Sequence, residues 1–238
     1  MNCDPIWLGP APGLAIYKDD PKEASRRGVI LMYHGFGADI TVNHRELESF
    51  AKQGFLALGL DNAGHGRRRL VDWDARFGPD GDFDTNIQML INQSIEELPD
   101  VIDAMDQKGW YHKDRLGICG ISMGGMIAYG GMLNDRRVSA GSVFVSSPRF
   151  LPAKFDVKDF APRPLLSQNG GLDEIVPHTE TEALHKSIEP FYEASPERNR
   201  FINYPNSGHM MVEADWHEAW RINLEWFCQF LQEGHLQV

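Results

Sequence analysis

The stretch that most constrains this chain is Arg115 to Gly130, which reads RLGICGISMGGMIAYG. Leu116 to Cys119 is a short apolar run that suits a buried strand, and the small-residue stretch beyond Gly125 suits a helix. Between them, Gly120-Ile121-Ser122-Met123-Gly124 sets a serine between two glycines at a strand-to-helix turn. Such a turn brings backbone close to neighbouring chain, so positions 120 and 124 need residues with little or no Cβ bulk. It leaves the Ser122 hydroxyl exposed at the tip of a sheet, beside the free N–H groups of a new helix. Taken alone, the pentapeptide also fits a Gly-rich turn of an ordinary α/β protein.

The surrounding pattern is that of a parallel sheet. Val29 to Tyr33 and Phe55 to Leu60 are continuous apolar runs, as strands buried on both faces require. Between them lies a helical pattern with Leu47, Phe50 and Ala51 on one face, ending at Gly54. Further strands are predicted at Ser142–Val145, from Pro164 to Asn169, and at Phe201–Tyr204. Helices are predicted from Asp84 or Thr85 to about Lys108, kinked or divided at Pro99, from about His178 to Phe191, and from Glu213 to Leu231. Ile6 to Lys18 reads as one or two edge strands and Asp19 to Arg27 as a surface turn. Arg67 to Asp84 reads as a long irregular insertion, and such loops are often functional. The fold class is therefore α/β, a doubly wound, mostly parallel central sheet with helices on both faces and no large lid. With no repeat or linker, residues 1–238 read as one domain.

Composition narrows the partners. A net charge of −11 argues against nucleic acid, which wants a basic face. Cys3, Cys119 and Cys228 are far apart and form no C-x-x-C or His/Cys metal spacing, so neither a disulfide framework nor a metal or other cofactor is implied. The N-terminus lacks the basic and apolar regions of a signal peptide, and no apolar run approaches a membrane span. The expectation is a cytoplasmic protein without membrane or nucleic-acid partners, a monomer or homodimer.

A serine hydroxyl needs a base within hydrogen-bond reach. Five histidines follow Ser122: His178, His185, His209, His217 and His235. The first two fall on an outer helix, His217 inside the last helix and His235 in the tail. His209 alone falls in a loop directly after a strand. For the acid, Asp173 follows a strand, whereas Asp156 and Asp159 precede it; Glu174 is the close competitor. The acid would hold the histidine in one tautomer and stabilise the imidazolium. The N–H of Met123, just after the serine, is one candidate oxyanion donor.

Five segments, in this order, carry a family resemblance. They are Tyr33-His34-Gly35-Phe36-Gly37, Asp61-Asn62-Ala63-Gly64-His65-Gly66, Gly120 to Gly125, Gly171 to Pro177, and Ser207-Gly208-His209. Together they resemble the α/β-hydrolase superfamily, specifically small bacterial esterases of the dienelactone-hydrolase-like and prolyl-oligopeptidase-like branch. The resemblance implies a second oxyanion donor at the Phe36 N–H and a bracing role for Asp61 at its turn. Dienelactone hydrolases carry cysteine at the nucleophile, so Ser122 favours an ordinary carboxylic ester. The peptidase relatives bring a further substrate-gating domain for which this chain has no residues to spare.

The expected function is a serine carboxylesterase for short-chain esters, acting through Ser122, Asp173 and His209. The same machinery could serve a thioesterase, an acyltransferase or a small aminopeptidase-like hydrolase. Trp73, Phe83 and Met210 are candidate pocket residues. His65 with Arg67, Arg68 and Arg69 could hold an anionic group, but reads better as a structural turn whose arginines are solvated or pair with Asp72, Asp74 and Asp80. His34 reads as loop packing and Met126 as packing of the elbow helix. Glu96, Glu97, Asp100 and Asp103 read as a solvated helix face.

Overall fold

Alternation of apolar residues along the central strands decides which helix covers which face. The computed structural model describes residues 1–232. The strands are β1 (Asn2–Leu8), β2 (Ala11–Tyr17), β3 (Val29–Tyr33), β4 (Leu56–Leu60), β5 (Leu116–Ile121), β6 (Ala140–Phe144), β7 (Leu165–Gly170) and β8 (Asn199–Tyr204). They form one sheet in the order β1-β2-β4-β3-β5-β6-β7-β8. β1 and β2 run antiparallel at one edge, β2 pairs antiparallel with β4, and every pairing beyond is parallel.

The longer helices are α1 (Pro21–Arg27), α2 (His44–Lys52), α3 (Trp73–Phe77), α4 (Phe83–Gln107), α5 (Met123–Asn134), α6 (Thr179–Ile188) and α7 (Glu213–Leu231). On β3, Leu31 and Tyr33 face one core with α4, α5 and α6, while Ile30 and Met32 face the other with α2 and α7. This is the doubly wound arrangement expected from the runs of buried apolar residues. No helix of the described residues is long and apolar enough to cross a membrane.

Four local expectations are corrected. Asp19 to Arg27 is not a turn: Asp20 accepts from the N–H groups of Lys22 (2.8 Å) and Glu23 (3.1 Å), and Pro21 begins helix α1. Both are start signals, an Asp N-cap and a proline whose missing N–H costs nothing there. The segment from Arg67 to Asp84 is not wholly irregular, since it contains α3, and Asp82 rather than Asp84 or Thr85 caps α4. Pro99, where a kink or a division is expected, lies inside α4, so of the two outcomes division does not occur. The carbonyl of Ile95, which Pro99 cannot bond, accepts instead from Asn134 Nδ2 at 2.9 Å. Finally, Glu97 does not lie on a solvated face. It pairs with Arg68, both side chains being largely buried. His235 lies outside the described residues.

Histidines that the fold buries make stability depend on pH, His65 and His185 the most. His65 and His185 are both held near a pKa of about 4, chiefly because burial disfavours their charged form. In the unfolded chain each would titrate near 6.5, so the unfolded state binds more protons below that pH. The native state is therefore fully favoured above about pH 6.5 and loses up to about 3 kcal/mol per ring as pH falls toward 4. Thermal melts from pH 7 to pH 5 should show a falling midpoint, shallower in His185→Gln. A midpoint independent of pH over that range contradicts this account.

Candidate active site

Ser122 sits between β5 and α5 with φ 55° and ψ −117°, a left-handed conformation for a residue with a Cβ. Such strain costs about 1–3 kcal/mol and persists only where surrounding structure enforces it. Here the Ser122 N–H donates to the Phe144 carbonyl (2.9 Å) and the Ser146 hydroxyl donates to the Ser122 carbonyl (2.8 Å). The flanking glycines are needed on contact grounds. A Cβ on Gly120 would lie 2.0 Å from the Gly124 carbonyl oxygen, and one on Gly124 would lie 2.1 Å from that of Tyr33.

The strand ends deliver the partners. The loops after β7 and β8 are stitched together, Leu172 N–H donating to the Ser207 carbonyl at 2.9 Å. Gly170 is required at that seam, since a Cβ there would come within 2.4 Å of the Ser207 carbonyl oxygen. The result places His209 Nε2 3.0 Å from Ser122 Oγ and His209 Nδ1 2.8 Å from Asp173 Oδ2. The Asp173 side chain is fully buried, and its other oxygen accepts from the N–H groups of Ile175 (2.9 Å) and Val176 (2.8 Å). Glu174 is exposed. With Nδ1–H donated to Asp173, the Nε2 lone pair is free to take the Ser122 proton.

The loop after β3 abuts the serine. A Cβ on Gly35 would lie 3.8 Å from Ser122 Cβ, and Gly35, Phe36 and Met123 line the same cavity as Ser122. Met123 opens α5, so its N–H has no intrahelical acceptor. Three bonds from the β4 end hold this loop. Asn62 N–H donates to His34 Nε2 (3.1 Å), Asn62 Nδ2 donates to the His34 carbonyl (2.8 Å), and Ile40 N–H donates to Asp61 Oδ1 (3.0 Å). His34 is fully buried, and that burial keeps it below its ordinary pKa and neutral. With Nε2 accepting, its Nδ1–H is donated to the Gly35 carbonyl at 2.7 Å. His34 and Asp61 thus hold the loop. Phe36 packs in an aromatic cluster with Trp73, Phe77, Phe83 and His65 at centroid distances of 4.9–5.5 Å.

Around Ser122 and His209 lies a cavity of about 560 Å³. Its walls are mostly apolar, with Ile87, Met126 and Val176 buried, Phe150 partly buried, and Phe83 and Met210 exposed at the mouth. Of the three pocket candidates, Phe83 and Met210 line it. Trp73 does not: it stacks on Phe36, and the Arg69 guanidinium lies 4.0 Å over its ring. Arg67 to Arg69 serve the fold, Arg68 bonding Glu97 and the Pro10 carbonyl and the Arg67 N–H donating to Asp61. Met126 both packs in the core and walls the cavity. Ser146, Ile87 and Phe150 escaped the sequence reading. Ile87 belongs to the ordinary apolar stripe of α4, and nothing in the sequence marks Ser146. No cluster of His, Cys, Asp or Glu among the described residues could hold a metal ion.

A serine within hydrogen-bond reach of a histidine that an acid orients, next to the backbone of a helix start, is an arrangement suited to acylation and hydrolysis. The comparisons agree with that chemistry. The chain is 24% identical over 263 residues to "Putative esterase YitV" of Bacillus subtilis (strain 168), covering 92% of this chain and 95% of that protein. Among solved structures it is similar to TT1662 from Thermus thermophilus, with a TM-score of 0.76, 19% identity and 98% of each chain covered. It is also similar to the Pyrococcus horikoshii acylaminoacyl peptidase, with a TM-score of 0.73 and 12% identity over all of this chain but 42% of that one. At such identities the two structures show the fold alone. Residues 24–163, more than half of the chain, match the family model described as serine aminopeptidase, S33. The chain belongs to this family of α/β-hydrolases and is a serine hydrolase.

Proposed function

We propose that this hydrolase is a carboxylesterase for short-chain esters, with Ser122 as nucleophile, His209 as general base and Asp173 as the acid that orients it. The observation that carries the reading is the unbroken hydrogen-bond chain from Ser122 Oγ through His209 to Asp173 at the wall of an apolar cavity. Ser122 Oγ attacks the ester carbonyl as its proton passes to His209 Nε2. The oxyanion is held by the N–H groups of Phe36 and Met123, each such donor being worth about 2.7–4 kcal/mol. His209 protonates the leaving alkoxide, then draws a proton from water, which attacks the acyl-enzyme and releases the acid.

Short acyl chains follow from the walls. A cavity of about 560 Å³ must house both halves of the ester, and the β6–β7 connection offers one short 3-10 turn, Val157–Phe160, rather than a lid. On nitrophenyl esters from acetyl to palmitoyl, kcat/KM should fall beyond the butyryl ester. A steady rise toward palmitoyl contradicts the assignment. The family's name favours one rival, an aminopeptidase-like activity, and turnover of aminoacyl amides above that of esters would establish it. A cytoplasmic setting accords with the reading, since Cys3, Cys119 and Cys228 are all free thiols.

A further inference from the structure

Asn43 is the only carboxamide among the described residues that line the catalytic cavity, and the fold makes no use of it. The residue is 6% exposed, and its Oδ1 is buried with no hydrogen-bond partner. Its position invites a structural role, because it immediately precedes α2, where asparagine commonly caps the first free N–H groups. Yet its φ of −102° and ψ of 22° depart from the extended conformation of a capping residue, and its side chain makes no cap bond. The turn it belongs to is already pinned without it. Asp39 Oδ1 accepts from Thr41 N–H at 2.8 Å, and Asp61 Oδ1 accepts from Ile40 N–H at 3.0 Å.

A buried amide oxygen left unpaired is costly, and an apolar residue of similar volume would suit a wall shared with Phe36, Met126 and Val176. A polar group retained at that cost in the wall of the cavity that holds the reacting serine has a partner when substrate is bound. The partner is neutral: the cavity is largely apolar, and Asp84, Arg149 and Glu180, its charged side chains, are exposed at the rim. Burying a charge against one amide would not recover its lost hydration. A hydroxyl or a carboxamide matches, since rotation about χ2 lets Asn43 offer either its C=O or its NH₂.

We propose that Asn43 determines specificity by binding a neutral hydrogen-bonding group, a hydroxyl or carboxamide, carried by the substrate ester. The inference rests on the esterase reading but goes beyond it, because it predicts discrimination between esters of equal size. The difference is large in kind. A site that hydrogen-bonds a substrate hydroxyl rejects the analogue lacking it far more strongly than an apolar wall sorts methylene groups.

The test uses matched pairs in which hydroxyl or carboxamide replaces methyl or isopropyl, one set varied in the acyl half and one in the alcohol half. Wild type should prefer the polar member in one half by about five- to 150-fold in kcat/KM, the range set by leaving such an amide unpaired. Asn43→Leu should reduce that ratio to within about threefold, with a melting temperature equal to or above wild type, since an apolar replacement leaves nothing unsatisfied. Asn43→Ala supplies the same ratio should the leucine fail to fit. A wild type without polar preference in either half, or a preference that survives both substitutions, overturns the proposal. So does loss of the preference together with a lowered melting temperature in both variants, which would make Asn43 a structural residue. These outcomes are distinct from failure of the esterase reading, in which no ester of either set is hydrolysed.

Discussion

Ser122→Ala should lower kcat on a nitrophenyl butyrate substrate by about 10⁵- to 10⁶-fold, the loss seen when the nucleophile of such a constellation is removed. The backbone N–H groups of Phe36 and Met123 remain, so a residual rate about 10³-fold or more above water is expected. The fold should be indifferent. Ser122 is held by its own N–H and C=O, which bond Phe144 and Ser146, and the Oγ takes part only in the bond to His209. Melting temperature is therefore expected to stay near wild type while activity collapses. Adding His209→Ala to the same chain should cost little more, because a base without its nucleophile has nothing to do. Steady-state kinetics of the two single variants and the double variant check this; two large, multiplying losses would contradict a shared role.

Asp173→Asn should lower kcat by about 10⁴-fold. The reason lies in how the carboxylate is already used. Asp173 Oδ1 accepts from two backbone N–H groups, Ile175 and Val176, at 2.9 and 2.8 Å. In the asparagine variant the carbonyl oxygen keeps those two donors, which turns the NH₂ toward His209 Nδ1. That donor makes Nδ1 the acceptor and puts the ring proton on Nε2, facing Ser122 Oγ, where a lone pair is needed. The expected signature is a large loss of kcat with an unchanged fold. Glu174→Gln is the control: Glu174 is exposed, and its effect should stay within about twofold, as for a surface substitution without partners. A larger loss from Glu174→Gln than from Asp173→Asn would exchange their roles.

Much of this arrangement is legible in the chain because it depends on local pattern. The buried runs at 29–33, 55–60 and 116–119 alternate with helical segments, and that alternation determines a parallel sheet and which loops share its carboxyl edge. Chain order along that edge then singles out Ser122, Asp173 and His209. What escapes depends on contacts between distant segments. Trp73 has the composition of a pocket residue, but its ring is taken up by Phe36 and Arg69. Glu97 sits among acidic neighbours that suggest a solvated face, and only the β4 loop's Arg68 explains its burial. Asn43 and Ser146 are ordinary loop residues by sequence, and their surroundings come from strands and helices far along the chain. Pro99 shows the same limit from the other side: its helix continues because Asn134, on a different element, takes the carbonyl that Pro99 leaves unbonded.

The mass of the protein after treatment with a fluorophosphonate, with the modified peptide identified, shows directly whether Ser122 is the nucleophile. Reaction requires a serine whose proton a neighbouring histidine accepts and an oxyanion site for the phosphonyl oxygen. One adduct per chain is expected, on the peptide carrying Ser122, formed at a rate reduced in Asp173→Asn and absent in Ser122→Ala. An adduct on another residue, or equal labelling of Ser122→Ala and wild type, would contradict that role.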